Sequence, residues 1–397
     1  MSLHSILIAA LLAFAVATLG QAQESKKQKA PKLPPELKKL QDDFQKLDRN
    51  KDGSLSAFEI PKDIRKKFGK TLFRADANRD FKVSRAELDK LAQFLGKRVQ
   101  RPRIDFRYLG KVQTIEVDGL QRKYVLFVPK KLKNPAPIIF VLHGGGGKAR
   151  RYDRLGFNEL AAKDGFIVIH PEAYKGNWND GRNASGLVSH QKKIDDVKFL
   201  RRVLDVVAKK YKVDRSRVFA TGASNGGIFS HYLAANASDV FTAIAPVIGG
   251  IAEPIASKFR PKYPVSILII QGDADALVPF NGGPIGMNKI GKRGRVISTR
   301  ETVKKYVALN GIKGKPKMIP LKDTDKTDGT TTVLTKFPSG FGGHRVEVYR
   351  IKNGGHRWPL RDTEVLEGYL GKTNRDFDGT EVIWEFFQGC PPRKLTK

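Results

Sequence analysis

Beyond residue 108 the apolar residues form short continuous runs, separated by longer stretches in which they recur every three or four positions. The runs are 124–128, 138–142, 166–169, 218–221, 242–247, 267–270 and 346–351. Several are apolar at nearly every position rather than every second one, the pattern of a strand covered on both faces in a parallel sheet. Between them, residues 194–209 place Val197, Leu200, Val203, Leu204 and Val207 on one helical face. Residues 226–235, 301–309 and 380–387 also read as helices. This alternation predicts an α/β fold with a doubly wound, mostly parallel sheet over 108–397.

Residues 38–95 have a different rhythm, helical and broken by two acidic loops, and predict a small all-α domain. The first loop carries Asp48, Asn50, Asp52, Ser54, Ser56 and Glu59 at positions 1, 3, 5, 7, 9 and 12 of a twelve-residue segment. That spacing suits calcium: side-chain oxygens at 1, 3 and 5, a carbonyl at 7, a water-mediated contact at 9 and a bidentate carboxylate at 12. Gly53 stands where the loop must turn sharply. Helical segments are expected on both sides, with Phe44 and Leu47 before the loop and Phe58 and Ile60 after it. The second loop offers Asp76, Asn78, Asp80, Lys82 (through its carbonyl), Ser84 and Glu87 in the same register, and Val83 falls where paired loops share a short β contact. Phe81 replaces the glycine, so a weaker or distorted site is expected there, because a left-handed non-glycine residue costs about 1–2 kcal/mol. The pattern predicts an EF-hand pair with structural calcium.

Residues 1–22 read as a secretory signal: the apolar run 6–19 is too short to span a bilayer comfortably, and Gly20-Gln21-Ala22 offers small residues for cleavage. An uncleaved anchor is the alternative, and the expected location is secreted, periplasmic or cell-surface. No later run approaches membrane length. Residues 23–37, rich in Lys, Pro and Gln, and the basic segment 96–107 read as linkers. With one cysteine, Cys390, no intramolecular disulfide can form. The formal net charge of +33 should attract anionic surfaces or polymers. The basic residues are scattered and match no nucleic-acid-binding motif, so no nucleic acid is expected as a partner.

Candidate chemistry lies after the apolar runs. The run 218–221 leads into Gly222-Ala-Ser224-Asn225-Gly226, a G-x-S-x-G pattern between strand and helix, where a serine can sit on a strained turn as nucleophile. The run 138–142 leads into His143-Gly144-Gly145-Gly146-Gly147, a loop able to aim an N–H at a developing oxyanion, with the N–H of Asn225 as second donor. The run 267–270 leads to Asp273 and Asp275, of which Asp275 is preferred as the acid and Asp273 is the alternative. The run 346–351 leads to His356, preferred over His344 and His143 as the base. Serine, acid, histidine is the chain order of α/β-hydrolases.

The segments LHGGGG, GASNGG, GDADALVP and GGHRWP, in this order, resemble the secreted polyhydroxybutyrate depolymerase and feruloyl esterase group of α/β-hydrolases over residues 108–390. The resemblance implies a Ser224–Asp275–His356 triad with Gly145 and Asn225 as oxyanion donors, and no cofactor for catalysis. It implies a carboxylic ester substrate, feruloyl or acetyl esters of polysaccharide or hydroxyalkanoate oligomers. Many relatives carry cysteines around the site that this chain lacks. Trp358, Tyr174 and Trp178 are candidates for the substrate pocket wall. The competing readings are an α/β-hydrolase peptidase and a calcium-dependent surface scaffold with an inactive hydrolase domain.

Overall fold

The computed structural model describes residues 35–75, 80–96, 106–286, 293–360 and 370–394. The expected signal 1–22, most of the linker 23–37 and most of the segment 96–107 lie outside them. The chain divides into two compact units, residues 1–100 and 101–397. Among the described residues no helix is long and apolar enough to cross a membrane.

In the first unit, helices Pro35–Asp42, Phe44–Leu47, Lys62–Ala75 and Arg85–Gly96 surround two short strands, β1 (Ser54–Ser56) and β2 (Lys82–Ser84). The strands pair antiparallel with Leu55 opposite Val83, and both side chains are buried with Leu40, Phe44, Ile64 and Leu91. The helix expected directly after the first loop starts only at Lys62. Pro61 has no N–H to give to a preceding turn, so it suits the start of a helix rather than its interior. Phe58 therefore sits in the turn before it and is 92% exposed.

The second unit is built on a ten-stranded sheet. Its strands are β3 (Lys111–Val117), β4 (Leu120–Phe127), β5 (Ala136–Leu142), β6 (Ile167–Pro171), β7 (Val213–Ala223), β8 (Ala243–Val247), β9 (Ser266–Gly272), β12 (Lys317–Pro320), β13 (Thr331–Lys336) and β14 (Val346–Lys352). A separate two-stranded ribbon, β10 (Gly283–Pro284) with β11 (Arg295–Val296), lies between β9 and β12 in sequence. The sheet order is β12-β13-β14-β9-β8-β7-β5-β6-β4-β3. The six strands from β14 to β6 run parallel, and the strands beyond them on both sides pair antiparallel.

Both faces of the parallel centre are covered. On β5, Ile138, Phe140 and Leu142 pack with Phe199, Val203 and Phe229, while Ile139 and Val141 pack with Phe157, Phe219 and Phe387 on the other face. The covering helices include Phe157–Asp164, Asp196–Lys210, Asn225–Asn236, Thr299–Leu309 and Gly379–Gln388. Ser298 and Glu301 form a reciprocal capping box on Thr299–Leu309, and Asp195 accepts from the Lys198 N–H to cap Asp196–Lys210.

Strands β3, β12 and β13 carry no continuous apolar run. They are flanking strands with exposed positions bearing Lys111, Thr331, Glu116, Lys317 and Lys336 on or beside them. Charges of this kind guard a sheet edge against further pairing and hide the strand from an apolar-run reading.

Buried imidazoles, His170 and His231 among them, make stability depend on pH. His170 donates through Nε2 to Asn158 Oδ1 (3.1 Å), and His231 contacts the Tyr306 hydroxyl through Nδ1 (3.1 Å). Burial pushes His170 down to about 4 and His231 down to about 3. Both therefore stay neutral in the folded chain while the unfolded chain takes up protons below about 6.5, so stability falls as pH drops through that value. The expected loss is about 1.4 kcal/mol per imidazole by about pH 5.5. Urea midpoints measured from neutral pH downward should fall accordingly. A flat profile through that window would show that neither imidazole stays neutral on folding.

Candidate active site and metal centre

Ser224 lies between β7 and helix Asn225–Asn236 with φ 57° and ψ −118°. A non-glycine residue held in this region costs about 1–3 kcal/mol, which the surroundings must supply. They do so by close backbone packing. The Ser224 N–H donates to Val247 O (3.0 Å) and its carbonyl accepts from Ile228 N (2.8 Å). A Cβ on Gly222 would meet Leu142 O at 2.5 Å, and one on Gly226 would meet the same oxygen at 2.3 Å. The glycines are thus required by the approach of the elbow to the end of β5. Ser224 is half-buried among buried neighbours.

The glycine-rich loop after β5 is held by His143. This buried ring accepts from Ala173 N at Nε2 (3.0 Å), so its Nδ1 carries the proton and donates to Gly144 O (2.8 Å). Burial lowers its pKa, which favours the neutral ring. His143 is therefore a scaffold residue. A Cβ on Gly145 would lie 3.8 Å from Asn225 Cβ, so the two residues expected to supply oxyanion donors are neighbours. Asn225 opens its helix, where first-turn N–H groups have no intrahelical partner.

At the other side of the site, parallel strands β9 and β14 pair through Gly272 and Ile351 and bring their following loops together. His356 Nδ1 lies 2.8 Å from Asp275 Oδ2. The Asp275 carboxylate also accepts from Leu277 N (2.8 Å), Val278 N (2.9 Å) and Gln271 Nε2 (3.2 Å), which fixes its plane. Both side chains are buried. Asp273 faces away, with Arg350 (2.9 Å) and the Asn353 N–H (2.7 Å) as partners. His344 is elsewhere, against Ser266 Oγ (3.1 Å).

The expected aromatic wall requires correction. Trp178 is fully buried, stacks on Phe229 at 5.0 Å and donates Nε1–H to His143 O (2.8 Å). Trp358 is also buried, edge-on to Phe157. Both are core struts, and of the three aromatics only Tyr174 reaches solvent, with Lys175 and Lys192 near its ring.

A set of polar residues behind the elbow was missed by the sequence reading. The Asn225 amide accepts from Trp178 N (2.8 Å) and donates to the buried Asp180 carboxylate (2.6 Å). Asp180 in turn pairs with buried Arg182 (2.8 Å) and lies 3.5 Å from His190 Nε2. The signal was the Asn177-Trp178-Asn179-Asp180 tetrapeptide, of which aromatic reasoning singled out only the tryptophan.

In the first acidic loop, Asp48 accepts from Asp52 N (3.2 Å) and Gly53 N (2.9 Å), and Asp52 accepts from Ser54 N (3.0 Å). Glu59 accepts from Ser56 Oγ (2.7 Å) and from Arg49 N (3.0 Å), and the Ser56 bonds lead in holding its carboxyl below the usual range. Gly53 and Phe81 occupy equivalent loop positions and both have positive φ, 80° and 64°. Among the described residues no three His, Cys, Asp or Glu side chains gather on one metal position. The donor set also relies on Asn50 and the Ser54 carbonyl, and its all-oxygen chemistry and loop conformation fit calcium. In the second loop Asp76 and Asn78 lie outside the described residues. Asp80, Lys82, Ser84 and Glu87 lie within them, with Ser84 Oγ donating to Glu87 (2.8 Å) and the Lys82 ammonium paired with Asp52 across the loops.

Residues 123–294 match the model of the dienelactone hydrolase family. The designated esterase NocK of Nocardia uniformis subsp. tsuyamanensis is 31% identical over 284 residues, covering 69% of this chain and 81% of that protein. Feruloyl esterase B of Piromyces equi is 29% identical over 56% of this chain and 39% of its own length. Poly(3-hydroxyalkanoate) depolymerase C of Paucimonas lemoignei is 25% identical over 59% of this chain and 58% of its own length. The chain thus spans less than two thirds of the latter two proteins. From its parallel sheet, its strand-end loops and these relatives, the chain belongs to the esterase family of α/β-hydrolases and is a carboxylic ester hydrolase.

Proposed function

We propose that this chain is a secreted serine esterase that acts through an acyl-enzyme on Ser224. The observation that carries the reading is the 2.8 Å contact between His356 Nδ1 and Asp275 Oδ2, on loops that follow adjacent parallel strands of the sheet that also carries Ser224 on its strained turn. Nδ1–H donates to Asp275, leaving Nε2 as the base. It takes the Ser224 proton as Oγ attacks the ester carbonyl, and the N–H groups of Gly145 and Asn225 receive the oxyanion. His356 then protonates the departing alcohol, and water, activated by the same nitrogen, releases the acid. Calcium supplies no step: bound by Asp48, Asn50, Asp52, Ser54 and Glu59, it would hold the first unit's loops in place.

Feruloyl or acetyl esters on polysaccharide, or hydroxyalkanoate oligomers, are the substrates supported by the names of the relatives. The high positive charge favours esters carried on acidic polymers. The apolar leader favours export.

Ser224→Ala should abolish turnover of p-nitrophenyl acetate, methyl ferulate, acetylated xylan and a hydroxybutyrate oligomer alike. Asp275→Asn should lower kcat by about 10³–10⁴, whereas Asp273→Asn should stay near wild type. Equal losses at the two aspartates would reject the assignment.

The Asn225 side chain fixes the backbone that carries its own N–H. Asn225→Ala keeps that N–H but removes the clamps to Trp178 and Asp180, so kcat should fall about tenfold or more with KM little changed. A change confined to KM would instead place this amide in substrate binding.

Chelating calcium should lower the unfolding temperature of residues 38–95 and leave esterase kcat unchanged. Equal thermal unfolding with calcium and with chelator would remove calcium from the proposal.

A further inference from the structure

A cavity of about 780 Å³ opens at the other end of the sheet from Ser224. Lys130 and Lys131 line it just before β5, and Tyr211 lines it just before β7. The glycine-rich loop and Ser224 follow these same two parallel strands. Seven residues of strand span about 23 Å, so the cavity and the ester-cleaving loops are well separated.

The floor is apolar, formed by Leu126, Phe127, Val128 and Val207, with the Tyr124 and Tyr211 phenols beside it. The rim includes Lys111, Lys130, Lys131 and Lys210, and among the described residues no Asp or Glu lines the cavity. Elsewhere on this unit some surface cations do have acidic partners, such as Arg201 with Asp239 and Arg215 with Asp205. None of the four rim ammonium groups forms an ion pair with a described residue. Lys210 lies over the Tyr211 ring at 5.6 Å. Like charges gathered over a low-dielectric floor repel one another, and the arrangement raises the local attraction for an anion.

We propose that this cavity binds an amphipathic carboxylate, an aryl or alkyl acid whose apolar body rests on the floor and whose charge meets the lysine rim. Acidic sugars are a poorer match. Their many hydroxyl groups call for a dense set of polar partners, and Gln113 and three tyrosine hydroxyls are the uncharged polar side chains among the described lining residues. The inference does not depend on the roles given to Ser224, Asp275 and His356. It does connect with ester hydrolysis, because that reaction releases a carboxylic acid. An acid bound here would occupy a site separate from the one that produced it.

The test is calorimetric titration of the full chain with 2-naphthoate, 2-naphthylmethanol and trigalacturonate. Naphthoate should bind, and Lys130→Glu/Lys131→Glu should weaken it by about tenfold or more. The exposed pair Lys209→Glu/Lys212→Glu, outside the lining, makes the same change in net charge and should leave affinity near wild type. Turnover of p-nitrophenyl acetate by both variants would verify their fold. The proposal is overturned if naphthoate does not bind, if both charge reversals act equally, or if the alcohol binds as tightly as the acid. Tighter binding of trigalacturonate would also overturn it, in favour of an acidic-sugar site.

Discussion

The close approach of three backbones at Ser224 is the constraint on which the rest of the site depends. Leu142 O at the end of β5 sits where a Cβ on either Gly222 or Gly226 would collide with it, and Val247 O at the end of β8 holds the Ser224 N–H. Between these two carbonyls the chain must reverse from strand to helix in one residue, and Ser224 takes the positive-φ conformation that results. Order in the flanking parallel strands supplies the energy for this strain, about 1–3 kcal/mol. A looser sheet would let the turn relax and move the hydroxyl.

The same packing explains why so many polar groups beneath the site are buried without loss. His143, Trp178, Asn225 and Asp180 form a connected set that ties the glycine-rich loop, the segment after β6 and the helix after Ser224 to one another. A buried carboxylate next to a buried guanidinium is costly unless its lone pairs are occupied, and Asp180 has Arg182 and Asn225 on it. Such a set stabilises one geometry of the loops more than it stabilises the fold as a whole.

Legibility from sequence followed burial. Strands covered on both faces appeared as continuous apolar runs, and all seven runs proved to be strands of the sheet. β3, β12 and β13 did not appear, because a strand near the sheet margin shares its positions with solvent and carries Lys, Thr and Glu. Ser224, with its flanking glycines, and His356, after its run, could be located because local backbone demands mark them. Local sequence favours Asp275 over Asp273 without deciding between them, since both follow β9. In three dimensions their surroundings differ, since one carboxylate meets His356 and the other meets Arg350. The tryptophans misled for a related reason: residue type gives large apolar area, whereas burial of Trp178 and Trp358 is decided by partners distant in sequence.

The absence of cysteine pairs and the excess of charge bear on one question, how an ester hydrolase with a single buried thiol at Cys390 holds its loops. Elements distant in sequence are here joined by buried hydrogen bonds: Asp153 receives the Gly110 N–H and the Asn158 amide, and Arg122 meets Asp196 with both side chains buried. Burial raises the Asp196 pKa and Arg122 offsets the shift only in part, so desolvation outweighs pairing there. Four surface lysines line the apolar cavity near the starts of β5 and β7, at the other end of these strands from Ser224.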